Sequence, residues 1–332
     1  MVAGSKSLAL VVVVFLAGGC PQRGAEAGSS VAVGQEPGSA RASVAAGQES
    51  GSAGASVAAG QESGSAEASR LDCERQPFAG ELAIAEASGA VYLPATGGHG
   101  ARVVVAGDSG TGGAIMAVDA GTGKVAWRGK LPLDKGASDD IEGLAVRGDT
   151  IYAITSSGWM RHFSMAHEGE LALTEPAYAI AESADLRCAN PRSTNCAANY
   201  EGLCVRGGPI APGACAGYAV AKEYGELVCL VLDGHGRLHA DGDRRIEVAP
   251  GRVLSGCDFS PDTGTLWVGS NLFGMSRVYV VAEKSARVTA VAGLGRGFPE
   301  AIAIGPGGAV YRFSDTTSSP SLADRYLCTP AP

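Results

Sequence analysis

No Lys/Arg block occurs anywhere in the 332 residues, and acidic side chains outnumber basic ones, 34 against 26. Neutralising phosphates takes clustered positive charge, which argues against nucleic acid or an anionic membrane surface as a partner of the folded part. No apolar run approaches the roughly 20 residues that span a bilayer as a helix. No Cys-x2-Cys pair or Cys/His cluster at ligand spacing is present, which argues against structural zinc. G-x-S-x-G and H-E-x-x-H are both missing. Aromatic residues make up only 6% and charged residues 18%. The 49 glycines predict many turns and few long helices. Residues 1–72 hold almost no core-forming sequence; the roughly 260 that remain suit one all-β domain.

Residues 1–20 read as an export signal: Lys6 supplies the positive start and Leu8–Leu16 a short apolar run. The run ends in Leu16-Ala17-Gly18-Gly19-Cys20, which resembles a bacterial lipobox, with Leu16 one position further from the cysteine than usual. Cys20 is then an acylated N-terminus that anchors the chain to a membrane. Cleavage near Gly19 as an ordinary signal peptide is the alternative. Pro21 in place of Asp favours the outer over the inner membrane. Residues 21–72 carry 13-residue repeats, Ser43–Ala55 nearly copied by Ser56–Ala68, with Ser30–Ala42 as a worn version. Such small, polar units cannot offset their ordering entropy, so they predict a disordered spacer. The globular domain is expected over 73–332.

Removing Cys20 leaves eight cysteines, an even number that reads as disulfides in an exported chain. Cys73 and Cys328 open and nearly close the domain, which suits a fold whose ends meet. Cys188 and Cys196 bracket a polar loop. The pairing of the remaining four is open, with Cys204–Cys215 and Cys229–Cys257, neighbours in sequence, as one possibility.

A pattern recurs at Asp140–Val146, Asn199–Val205, Leu254–Phe259 and Phe298–Ile304: a polar or acidic residue, a small one, then a short apolar run. Each is followed by a turn and a second strand, at Thr150–Thr155, Gly217–Ala221, Thr265–Gly269 and Ala309–Phe313. The markers Glu142, Glu201, Ser255 and Glu300 lie 59, 54 and 45 residues apart. Multi-stranded units at such periods predict a β-propeller. Ala90–Leu93, Ala101–Ala106, Ala114–Val118 and Lys124–Gly129 make a further unit ahead of these. The last unit runs out after Tyr326-Leu327, and Glu81–Ala85 can complete it. Five four-stranded blades are expected, with six, or an open pair of sandwiches, as alternatives.

Inner strands of a propeller start at one mouth of the channel and second strands return there. Glu142, Glu201, Ser255 and Glu300 therefore converge with Asp108, Ser157, Glu223, Asn271 and Asp315, which follow the second strands. Clustered carboxylates repel unless a cation neutralises them, and oxygen-only donors suit Ca²⁺ or Mg²⁺. Alternatively the glutamates begin their strands for structural reasons, accepting backbone N–H bonds.

With Asp140–Val146, Asn199–Val205, Glu223 and Asp315, the chain resembles phytase-like and SdiA-regulated β-propellers within the wider gluconolactonase-type superfamily. That resemblance implies a divalent cation held by Glu142 or Glu201 with Asn271 and Asp315. It also implies phosphate-ester hydrolysis, for which Lys222, Arg161 and Arg312 are the basic candidates. Ala114–Trp127 resembles one quinoprotein propeller repeat, in which the Trp docks between blades.

Gly107-Asp108-Ser109-Gly110 resembles the serine segment of trypsin-like proteases, but no His stands in a matching context. Gly121–Lys124 reads as a hairpin turn, and His235 and His239 as a solvated loop. Three readings follow: a Ca²⁺-assisted binding module for a protein or small molecule (Glu142, Glu201, Asn271, Glu300 and Asp315 on the metal; Asp108, Lys222 and Glu223 on the ligand), a metal-dependent phosphoesterase or lactonase, or a purely structural acidic funnel.

Overall fold

In the computed structural model, residues 71–330 are described, except 135–137, 168, 182–191, 193, 197, 223, 272–275, 292 and 317–319. Twenty-one strands among them form five sheets. Blade I holds β2 (Ala87–Leu93), β3 (Arg102–Gly107), β4 (Ala114–Asp119) and β5 (Val125–Lys130). Blade II holds β6 (Ile141–Arg147), β7 (Thr150–Thr155) and β8 (Trp159–His167). Its outer strand is split into β9 (Glu170–Leu173) and β10 (Tyr178–Ala179), both paired to β8. Blade III runs β11 (Tyr200–Val205), β12 (Gly217–Ala221), β13 (Glu226–Leu232) and β14 (Leu238–Glu247). Blade IV runs β15 (Leu254–Phe259), β16 (Leu266–Ser270), β17 (Arg277–Ala282) and β18 (Arg287–Val291). Blade V joins β19 (Phe298–Ile304), β20 (Ala309–Asp315) and β21 (Ser321–Pro330) to β1 (Leu71–Leu82). The fold is a five-bladed β-propeller. Its closing strand is longer than Glu81–Ala85 and begins at Leu71, two residues before the expected boundary.

The core is five slabs, one between each pair of neighbouring blades. Because side chains alternate along a strand, Val103 and Val105 face blade V while Val104 and Ala106 face blade II. Both faces of each sheet are therefore buried, which is why the inner strands read as continuous apolar runs rather than alternating ones. Trp127 packs between blades I and II against Gly169, as its repeat suggested.

Three disulfides are described. Cys73 and Cys328 face each other across β1 and β21, Cα–Cα 4.0 Å, and fasten the seam where the chain's two ends share a blade. The other two correct the proximity pairing: Cys204 bonds Cys257 and Cys215 bonds Cys229. Cys204 and Cys257 lie on inner strands of adjacent blades, and that adjacency overrides nearness in sequence. Cys196 is also disulfide-bonded. Cys188, its expected partner, lies outside the described residues.

Every inner strand carries a β-bulge near its start, between Ala87 and Gly89, Ile141 and Gly143, Tyr200 and Gly202, Leu254 and Gly256, and Pro299 and Ala301. The skipped residue is Ser88, Glu142, Glu201, Ser255 or Glu300. A bulge leaves that residue unpaired and re-aims its side chain. The glycine behind it in blades I to IV has a separate cause. A Cβ on Gly143 would lie 2.5 Å from Leu203 N, and one on Gly202 2.6 Å from Gly256 Cα, so these strands abut around the axis. Gly202→Ala is therefore expected to cost about 3 kcal/mol through backbone displacement; urea unfolding of the variant against the parent checks this.

Candidate functional site

The five bulge residues and the five residues that end the second strands meet at one mouth of the channel. From the strand registers the second set is Asp108, Ser156, Lys222, Asn271 and Asp315. Blade II thus contributes Ser156 rather than the expected Ser157, whose Oγ is instead 3.1 Å from Thr155 Oγ1. Glu223 lies outside the described residues.

The members of the ring are not equivalent. Ser88 Oγ donates to Ile141 O at 2.5 Å and Ser255 Oγ to Pro299 O at 3.1 Å, so both serines stitch their blade to the next. Glu201 is buried but accepts from Lys222 Nζ at 2.7 Å. Burial nevertheless pushes its carboxyl up to about 8, with Glu300 and Asp108 adding to the rise. Burial opposes the Lys222 charge, yet its pairing with Glu201 raises the ammonium above its ordinary value. Glu300 accepts from Asn271 Nδ2 at 3.3 Å, and burial, with Asp315 beside it, raises its carboxyl.

Glu142 is different. It is 4% exposed, and its carboxylate has no hydrogen bond or ion pair among the described residues. Burial holds its carboxyl well above the ordinary range, reinforced by Glu201, Asp108, Asp140 and Glu300. Those neighbours come from four other positions around the ring, which places Glu142 toward the axis. Oxygens of Asp108, Asp140 and Glu142 lie within 4.8 Å of one another. Asp140 is buried and accepts from the Ser156 hydroxyl and backbone N–H. Burial raises its carboxyl while Ser156 and Arg161 favour the charged form. Asp108, at the mouth, is pushed up to about 7 by burial and by Asp140, Glu300 and Glu86.

Across the mouth, the buried Oδ1 atoms of Asn271 and Asp315 have no hydrogen-bond partner among the described residues, nor does Asn199 Oδ1. Burial and Glu86 raise the Asp315 carboxyl. The grouped oxygens of Asp108, Asp140 and Glu142 fit a cation held by oxygen donors. The arrangement can therefore hold a divalent ion, chiefly through Asp108, Asp140 and Glu142. Glu201 fits that role less well, because Lys222 already neutralises it.

Sequence reasoning passed over Ser88, Glu86 and Asp140. Ser88-Gly89 repeats the Ser255-Gly256 signal, and Asp140 stands two residues before Glu142 inside the recurring segment. Glu86 and Asn199 occupy the matching position in blades I and III and share a left-handed backbone, φ 49° and 48°. Non-glycine residues rarely adopt it, and such strain collects at functional sites.

Arg161 and Arg312, candidate phosphate ligands, are 0% and 1% exposed. Arg161 Nη2 donates to Ser138 O at 3.1 Å and Arg312 Nη2 to Pro299 O at 2.6 Å. Both lie behind the carboxylates, and burial lowers the Arg312 guanidinium to about 10.

The opposite mouth is chemically distinct. It opens into a cavity of about 1150 Å³ whose lining includes Val91, Leu93, Val146, Val205, Phe259 and Ile304. Asp258 at its edge accepts from Ile304 N at 2.7 Å and Phe259 N at 2.8 Å, tying blade IV to blade V. Burial pushes this carboxyl up to about 7.

A scan of family models finds no match to the chain, and a search of curated proteins finds none. Among solved structures, similarity extends to Myxococcus xanthus glutaminyl cyclase, 14% identical, covering 78% of this chain and 98% of that one, TM-score 0.49. It also extends to the PQQ-bound aldose sugar dehydrogenase of Streptomyces coelicolor, 14% identical, covering 79% and 99%, TM-score 0.46. Nothing of their chemistry is carried over to this chain.

Proposed function

We propose that the acidic mouth is a ligand-binding site built around a divalent cation, with Ca²⁺ the ion its oxygen donors suit best. The observation that carries this reading is the crowding of Asp108, Asp140 and the buried Glu142, whose carboxylate oxygens lie within 4.8 Å of one another. An uncompensated buried charge is costly, and a cation removes that cost. Asn271, Glu300 and Asp315 stand across the mouth, and Lys222 at its edge, where they would meet a ligand. The cation, when bound, polarises an oxygen of that ligand. In this reading Cys20 and the spacer that precedes β1, outside the described residues, present the propeller at the cell envelope on an acyl anchor.

Asp108 favours a second reading, hydrolysis of an ester or lactone. Its carboxyl is pushed up to about 7, where a general acid or base works best at neutral pH. The resemblance to gluconolactonase-type and phytase-like propellers points the same way.

Calorimetric titration of Ca²⁺ into metal-stripped protein tests the cation. Micromolar binding is expected, weakened more than about tenfold in Glu142→Gln. Glu201→Gln is expected to retain most of it. Equal affinity in all three proteins, or none in the parent, overturns the reading.

A further inference from the structure

The mouth opposite the carboxylates takes no part in the proposed cation site, and it has chemistry of its own. Four residues beyond its bulge, each inner strand ends in a side chain that lines the cavity there: Tyr92, Val146, Val205, Phe259 and Ile304. At about 1150 Å³ the cavity is large enough for a small organic molecule. Apolar walls with a few placed polar groups are how such sites are built.

One position departs from the pattern. The residue three beyond each bulge is Val91, Ala145, Cys204 or Ala303 in four blades, all buried, and Asp258 in blade IV. Asp258 ties blade IV to blade V, yet the other four blades pack without a carboxylate at this place. It keeps part of its surface open to the cavity. Its two oxygens each accept one backbone N–H, from Phe259 and Ile304, which leaves about half of a carboxylate's acceptor sites open. Among the described residues no cation is paired with it; burial, not a neighbouring charge, raises its carboxyl. Arg206, on the same wall, is turned instead to Glu283 and to the Phe259 ring, 4.4 Å from its centroid. A carboxylate in an apolar wall without a counter-charge favours a cationic donor, and a charge-assisted bond is strong where water is excluded.

We propose that this cavity is a second binding site, for a compact apolar molecule carrying one ammonium group that donates to Asp258. The apolar body fills the end of the channel, and the ammonium supplies the charge and the N–H donors that the wall lacks. The site stands whether or not the acidic mouth binds a metal.

The test is calorimetric titration of the full chain with three probes that share one apolar cage: adamantylammonium, adamantanol and adamantane carboxylate. The ammonium is expected to bind at least about tenfold more tightly than the alcohol, and the carboxylate more weakly than either. Asp258→Asn should bring the ammonium down to the level of the alcohol. Val146→Phe, which fills the cavity and leaves Asp258 in place, should weaken ammonium and alcohol alike by about fivefold or more. Glu142→Gln, altered at the other mouth, should bind the ammonium as the parent does. Equal binding of all three probes, a preference for the carboxylate, or no binding at all overturns the proposal. So does loss of the ammonium in Glu142→Gln, which would move it to the acidic mouth. If Asp258→Asn does not fold, the ranking of the probes on the parent and on Val146→Phe decides.

Discussion

Metal-stripped protein is expected to melt at progressively lower temperature as the pH rises from about 4 to about 8, and Ca²⁺ is expected to restore the part of the loss that comes from the acidic mouth. Burial pushes Asp108 and Asp258 up to about 7 and Glu201 up to about 8, and raises Glu142 and Glu300. The unfolded chain gives up these protons near the ordinary carboxylate range of about 4. Between that range and the raised values the folded state holds more protons, so its stability falls as the pH rises. Each fully retained proton is worth at most about 1.4 kcal/mol per pH unit, or about 2–4 °C in Tm for a domain of this size. Thermal melts in chelator at pH 5, 6, 7 and 8 give the slope, and repeating them in Ca²⁺ gives the rescue. A flat profile without metal would mean that the mouth is already neutralised by the protein's own groups.

Breaking the seam disulfide should be the most damaging change to the covalent frame. Cys73 and Cys328 are 255 residues apart, Cys204 and Cys257 are 53 apart, and Cys215 and Cys229 are 14 apart. Loop-closure entropy then ranks their contributions at about 5, 4 and 3 kcal/mol. The seam has a further role. β1 enters blade V only by pairing with β21, so loss of Cys73–Cys328 frees the strand that closes the ring. Paired Cys→Ser variants are expected to lose stability in that order, with proteolysis of the seam variant starting near β1. A larger loss from the Cys215–Cys229 pair would place the weak point inside blade III instead.

The fold was legible in the sequence because its signal is local. An unpaired polar residue at a bulge, a small residue behind it and a buried apolar run recur around the ring, and β7 and β12 fall where Thr150–Thr155 and Gly217–Ala221 placed them. Ring closure was legible from the deficit of a strand after Tyr326-Leu327. What could not be read was contact between blades. Cys204–Cys257 joins inner strands that only the ring brings together. The site was legible only in part: Glu142, Glu201 and Glu300 look alike in sequence, yet Glu201 meets Lys222, Glu300 meets Asn271 and Glu142 meets neither. That difference comes from the residue that follows a second strand, in the same blade for Glu201 and in the preceding blade for Glu300, and that residue is not part of the recurring inner-strand pattern. Arg161 and Arg312 read as accessible cations, but both guanidiniums are buried behind the mouth.

The measurement closest to the central claim is anomalous diffraction from crystals soaked in Mn²⁺, an oxygen-seeking stand-in for Ca²⁺. The account predicts one strong peak at the acidic mouth, within coordination distance of Asp108, Asp140 and Glu142, and lost in crystals of Glu142→Gln. No peak at that mouth, or one held only at another surface of the propeller, would contradict it.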